Sequence, residues 1–336
     1  MWWLLARLAL AVGPSSEQDA AFLAWSEGAV KDEPRPEVSA GYHFSGDVFR
    51  TIAEAIAARP GLIEPELIGR SAQGRPIWAF HVQDPADGPP TRSVLVFGGI
   101  HAMEWIATET ALTFFTEIVA APPAGVRVTV IPLLNPDGRA RVQKDLEAGR
   151  NAWRRANGAG VDLNRDFAWN RDPTPIWSDV LPAYHATSPA PLSQPESQAL
   201  DALVARERYD RAASLHAFGG FLYYPWAGSW ARPDDWAELH TLGRVMEAAQ
   251  GRHAYRPRQL ARWGFFFRAH GAEIDHLYGA YGVDAFLIEL TRTGTPVFQP
   301  SQYKQLFRRY NPADPAPHLT RGARALHALV AAPEPP

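Results

Sequence analysis

The rhythm of apolar and polar positions changes most sharply between Val94 and Thr110. Val94-Leu-Val-Phe97 is a short unbroken apolar run with the length and β-branched content of a buried strand, and Gly98-Gly99 interrupts it. Beyond the interruption Trp105, Thr108, Leu112 and Phe115 recur at three- and four-residue spacing. That spacing predicts strand, tight turn and helix, with Pro122-Pro123 stopping the helix. Upstream, Thr51 to Arg59 carries helix period and Pro60-Gly61 ends it, while Glu66 to Gly69 and Pro76 to Val82 flank a turn and predict a hairpin. The residues from Gly13 to Pro36 are polar and proline-bearing, so order is expected to begin near Tyr42 and the preceding stretch to lie on the surface.

Downstream, Val126 to Leu134 is a β-rich run closed by the turn signal Asn135-Pro-Asp-Gly138. From Arg139 to Ser193 the pattern is irregular, and so long a loop in a compact domain suggests a site wall. Ser193-Gln-Pro-Glu196 has the form of a capping box opening a helix through about Arg206. Ala212 to His216 and Val283 to Leu290 predict strands; Asp235 to Gln250, Gln302 to Tyr310 and Thr320 to Val330 predict helices. This alternation, without linker or internal repeat, predicts one α/β domain over residues 41–332 after an N-terminal extension of residues 1–40.

Composition narrows the chemistry. The 336 residues are 46% hydrophobic, enough for a large core, and a formal charge of −3 leaves no basic excess to hold a phosphate backbone, which excludes nucleic acid as a natural partner. With no cysteine, neither a disulfide framework nor a thiolate site is available, so any metal must be held by His and carboxylate. Met1 to Val12 is apolar and faintly signal-like, but Arg7 interrupts it and it is too short to span a bilayer, leaving cytoplasmic and exported locations both open.

Four polar groups stand where apolar strands end: His101 and Glu104, His216, and Glu289. Strand exits are where open α/β sheets place their ligands. Two imidazoles and a carboxylate form an open three-ligand zinc site, with Glu289 as the base that takes a proton from water. A simpler account of Glu289 is a carboxylate bonded to a neighbouring arginine or backbone amide.

Taken in order, Gly99 to Trp105, Asn135 to Gly138, Trp153-Arg154 with Gly160 to Phe167, Ser214 to Phe218 with Tyr224-Pro-Trp226, and Phe286 to Leu290 resemble the motifs of the zinc metallocarboxypeptidase family, the carboxypeptidase A-like peptidases. The resemblance covers the chain from about Tyr42 onward and implies a central mixed twisted sheet flanked by helices. It implies one Zn²⁺ on His101, Glu104 and His216, Glu289 as general base, Arg154 as the carbonyl-polarising arginine, Asn164 and Arg165 as the grip on a terminal carboxylate, and Asp162 as the carboxylate orienting a ligand histidine.

Three features depart from the family pattern. Met103 replaces an arginine. Phe267 stands at the place of a mobile tyrosine, for which Tyr278 is an alternative source of a phenol. The forty or so leading residues are too few for a globular propeptide. Ile274, in the place of the pocket floor, implies preference for an apolar or aromatic C-terminal side chain. The implied substrate is a peptide with a free C-terminal carboxylate. A cell-wall peptide hydrolase acting beside a diaminopimelate carboxylate, an N-acyl amino acid amidohydrolase and a catalytically silent peptide-binding protein are the competing expectations.

Overall fold

A computed structural model describes residues 16–29, 35–172, 187–264, 267–292 and 304–333. The signal-like segment Met1 to Val12 and the first two residues of the helix expected at Gln302 lie outside the described residues. Among the described residues no helix is long and apolar enough to cross a membrane.

Eight strands form one mixed sheet: β1 (Ile63–Arg70), β2 (Pro76–Val82), β3 (Arg92–Phe97), β4 (Val126–Ile131), β5 (Arg211–Ala217), β6 (Phe221–Tyr224), β7 (Arg256–Gln259) and β8 (Asp284–Leu290). Their order is β1-β2-β4-β3-β5-β8-β6-β7. The central run β4-β3-β5-β8 is parallel, β1 and β2 form the expected antiparallel hairpin, and β6 returns antiparallel to β8. Alternation along each strand divides the core. Val94 and Val96 face one apolar layer while Leu95 and Phe97 face the other, so both sides of the sheet must be covered.

Helices α1 (Glu17–Ala29), α2 (Ser45–Ala58), α3 (Trp105–Ala120), α4 (Pro136–Glu147), α5 (Pro195–Glu207), α6 (Trp236–Ala249), α7 (Glu273–Tyr281), α8 (Leu306–Tyr310) and α9 (Ala316–Ala331) supply that cover. Helix α3 is buried on nearly every side, packed between sheet and α9, which explains its almost wholly apolar sequence.

The structure corrects four local expectations. The leading stretch is not all surface, because α1 buries Phe22 against Phe49, Trp78 and Phe80. Asn135-Pro136 does not simply turn the chain but starts α4: Asn135 Oδ1 accepts from the Gly138 amide and Pro136 occupies the first helical position. Ser193 caps no helix. Its amide and hydroxyl both donate to Asp166 Oδ1, and α5 begins at Pro195 after an uncapped Gln194. Strands β6 and β7 and helix α7 did not stand out in the pattern because each is short and bracketed by loops.

Strand β3 leads through α3 to its neighbour β4 on one side, while β5, on its other side, leads onward toward β8. The crevice between the exits of β3 and β5 is thus the point where the chain's winding reverses, the usual ligand position of an open α/β sheet.

Candidate metal centre and its cleft

Gly98 and Gly99 allow β3 to discharge into that crevice. A Cβ on Gly98 would lie 2.9 Å from the carbonyl oxygen of Ala107, and Gly99 has φ +68° with Leu133 Cδ1 at 2.9 Å from any Cβ. The glycines let the first turn of α3 approach the strand closely, which places His101 and Glu104 side by side at the mouth of the helix.

His216, near the end of β5, completes the group. His101 Nδ1 is 2.9 Å from Glu104 Oε1 and 3.0 Å from His216 Nδ1, and His216 Nδ1 is 3.3 Å from Glu104 Oε2. All three residues are buried, and one ligand atom from each lies within 4.8 Å of the others. Two imidazole nitrogens with nothing but each other and a carboxylate to face suit a cation. A tetrahedral ion bonded at about 2.1 Å spaces its donors by about 3.4 Å, close to the separations here. The donor set therefore fits zinc.

Each imidazole is held from behind. His101 Nε2 meets Asp162 Oδ1 at 3.1 Å, and His216 Nε2 meets both Ser214 Oγ and Glu273 Oε1 at 2.9 Å. Glu273 was visible in the sequence only as a charge beside Ile274. Full burial at the start of α7 brings it to the histidine, and its other oxygen has no hydrogen-bond partner. Burial opposes charge on His216, but the Glu273 and Glu104 carboxylates lift it to about 10. Burial likewise resists ionisation of Glu104, yet the two imidazoles hold it well below the usual carboxylate range. Both shifts describe a nest of carboxylates built for positive charge.

A cleft of about 880 Å³ opens over this group, within the usual size of a ligand site. Glu289 lines it from β8, paired in register with His216 across the β5–β8 ladder, and among the described residues its Oε2 has no hydrogen-bond partner. Among the described residues neither an arginine nor a backbone amide bonds that oxygen, as the simpler account would require. Burial, and then the charge of Glu104, pushes its carboxyl up to about 7.

Asn164 and Arg165, both buried, lie on the short turn Leu163–Arg165 and line the same cleft. Asn164 Oδ1 accepts from the amide of Glu273 at 3.0 Å, which leaves the amide's NH₂ end as the available donor.

Arg154 is not in the cleft. Its Nε donates to Asp145 Oδ2 at 2.7 Å on the flank of α4, with the side chain 40% exposed. Its neighbour Arg155 lines the cleft instead; its Nε donates to Asp162 Oδ2 at 2.6 Å and its Nη1 lies 3.7 Å from Glu104 Oε1. Successive residues of an extended segment point to opposite sides, so a one-residue ambiguity in the sequence becomes a choice between cleft and surface.

Phe267 lines the cleft, edge-on to Trp263 at 5.4 Å. Tyr278 does not: its hydroxyl donates to Asp235 and its ring meets Trp226, while the phenols lining the cleft are Tyr223 and Tyr310. Ile274 is likewise absent from the cleft wall, being fully buried in the apolar layer below. Leu260, Ala269 and Leu287 provide the apolar lining instead. Met103 is buried, its carbonyl accepting from Asn311 Nδ2.

The chain shares 26% identity over 268 residues with mouse carboxypeptidase A2, spanning 75% of this chain and 63% of that protein. A protein named as an inactive metallocarboxypeptidase in Saccharomyces cerevisiae is 24% identical over 267 residues, 71% of this chain and 61% of its own. In three dimensions the fold is similar to bovine thrombin-activatable fibrinolysis inhibitor, solved with a tick carboxypeptidase inhibitor, at a TM-score of 0.68 and 20% identity over 86% of this chain and 96% of that one. Since the family model described as zinc carboxypeptidase matches residues 49–310, and the fold is of the same kind, the chain belongs to the zinc carboxypeptidase family.

Proposed function

We propose that the chain is a zinc-dependent metallocarboxypeptidase that hydrolyses the last peptide bond of a substrate with a free C-terminal carboxylate. The observation that carries this reading is the meeting, in one cleft, of the His101–Glu104–His216 group, Glu289, Arg155 and the Asn164–Arg165 pair. His101, Glu104 and His216 would hold the ion; when bound, zinc supplies the Lewis acidity that acidifies a water and polarises a carbonyl.

Within that cleft the chain's own groups divide the work. Arg165 meets the terminal carboxylate with the planar fork that suits it, and the Asn164 amide adds a donor. Arg155, fixed by Asp162, donates to the carbonyl oxygen as negative charge develops there. Glu289 takes the proton of the attacking water and passes it to the nitrogen as the C–N bond breaks. Its place in the cleft, in register with the ligand histidine His216, suits both halves of that transfer. Leu260, Ala269 and Leu287 favour an apolar or aromatic C-terminal side chain, with Phe267 closing the pocket as a ring without a hydroxyl. The catalytic unit is proposed to cover residues 41–332, with α1 packed onto it.

Mass spectrometry of a panel of linear peptides, muropeptides and N-acyl amino acids tests the reading. Stepwise loss of single C-terminal residues from linear peptides is expected, abolished by chelation, restored by zinc, and lowered by about 10²- to 10⁴-fold in kcat by Glu289→Gln. Release from only muropeptides or only N-acyl amino acids would transfer the site to those substrates. Metal and peptide binding without turnover would make it a binding protein.

A further inference from the structure

The wall of the cleft is unbalanced in charge. Among the described residues it carries Arg155, Arg165, Arg256, Arg292 and Arg309 against the single carboxylate of Glu289, in a chain whose net charge is −3. Several arginines elsewhere sit against acids, as Arg75 does on Asp137 and Arg206 on Glu66, and others donate to backbone carbonyls, as Arg211 does. Arg155 is held by Asp162, and Arg309 lies over the Phe218 ring at 5.0 Å.

Arg256 and Arg292 are different. Arg256 stands on β7 opposite Phe221 of β6 and forms no ion pair or hydrogen bond among the described residues. Arg292, two residues past the end of β8, lies against Gly220, where a Cβ would come within 2.4 Å of its Cγ and 2.7 Å of its Nε. Its guanidinium donates to the carbonyl of Ala254, two residues before Arg256, and no described carboxylate pairs with it. Both are solvent-exposed residues that line the cleft, so their like charges add to its positive field.

We propose that Arg256 and Arg292 form a carboxylate subsite that receives the side chain of an acidic residue upstream of the scissile bond, so that the preferred substrates are acidic peptides ending in an apolar residue. The inference rests on the carboxypeptidase reading above and names its substrate class. The upstream position follows from the order of groups along the wall. Asn164 and Arg165 occupy the terminal carboxylate, and the apolar lining takes the last side chain. Gly219 and Gly220 then carry the wall from Glu289, 3.0 Å from a Cβ on Gly219, to Arg292.

The experiment is a set of kcat/KM measurements on N-blocked tetrapeptides ending in Phe, with Glu, Gln or Lys at each of the two positions before it, on the zinc-loaded full chain. Glu is expected to exceed Gln by about 10-fold at low salt and Lys to fall below Gln, with the spread collapsing near 1 M salt. In the Arg256→Gln/Arg292→Gln double variant the preference for Glu over Gln should vanish. An Arg256→Glu variant should invert the order toward Lys. Equal rates for Glu and Gln in the wild type, or a preference surviving the double variant, would overturn the subsite and leave the carboxypeptidase reading standing. Failure to cleave any member of the set would remove that reading and the subsite with it.

Discussion

The same three parallel strands, β3, β5 and β8, use buried charge in opposite ways at their two ends. At the entry end, Arg92 Nη1 donates to the carbonyls of Val330 and Ala332, and the fully buried Arg211 donates to those of Leu329, Ala332 and Pro333. Leu329 and Val330 lie in the last turn of α9 and Ala332 and Pro333 just beyond its end, where helical partners run out, and a cation there also complements the helix dipole. At the exit end, His101, His216, Glu273 and Glu289 crowd together, and among the described residues Glu273 Oε2 and Glu289 Oε2 have no hydrogen-bond partner. Charge turned onto backbone carbonyls at one end holds the terminal helix in place. Charge left unsatisfied at the other keeps shifted protonation states ready for a ligand. The difference teaches that burial alone does not mark a functional group; what matters is whether its partners use it up.

The sharpest way to test that contrast is the pair of adjacent arginines. Arg155→Lys should lower kcat by about 10²- to 10³-fold, since it removes a fork donor from the cleft, whereas Arg154→Lys, on the flank with Asp145, should leave turnover unchanged. Equal effects would show that the two ends of this segment are not separated as described.

At the opposite end, Arg211→Leu should cost about 3 kcal/mol of stability by stripping several carbonyls of a charged donor, with kcat/KM and metal content unaltered in the folded fraction. Denaturant titration beside an activity assay checks both halves, and a loss of metal would break the separation of roles.

Glu273→Gln sharpens the exit end. It keeps the shape and a hydrogen bond to His216 but removes the charge behind the imidazole, so metal affinity should fall by about 10- to 100-fold in chelator competition. An unchanged affinity would demote Glu273 to packing.

The smallest effect is expected at His43, whose ring meets Glu109 Oε2 at 2.7 Å and whose pKa is raised chiefly by that hydrogen bond. A raised folded-state pKa stabilises fully below the ordinary histidine value of 6.5 and loses its contribution as pH climbs through the raised one. With the side chain 44% exposed, the difference between wild type and His43→Asn should stay below about 1 kcal/mol and vanish in alkali, as denaturation at several pH values would reveal.

What the sequence determined by itself was whatever depends on local period and order. The β3–α3 unit was legible because an apolar run, two glycines and a helix period adjoin, and the placing of His101, Glu104, His216 and Glu289 at strand exits followed from the runs before them. Helix α4 was legible in principle through Asn135-Pro136, whose cap and first-turn chemistry was read as a turn alone. Tertiary structure alone decided the rest. Which of Arg154 and Arg155 enters the cleft depends on Asp145 and Asp162, one on that unexpected helix and the other beyond it. Likewise Ile274 sinks into the core while Glu273, one residue earlier, reaches His216, because the start of α7 is anchored by Asn164, more than a hundred residues away. Period fixes which face of an element a residue occupies, but only packing between distant elements fixes what that face meets.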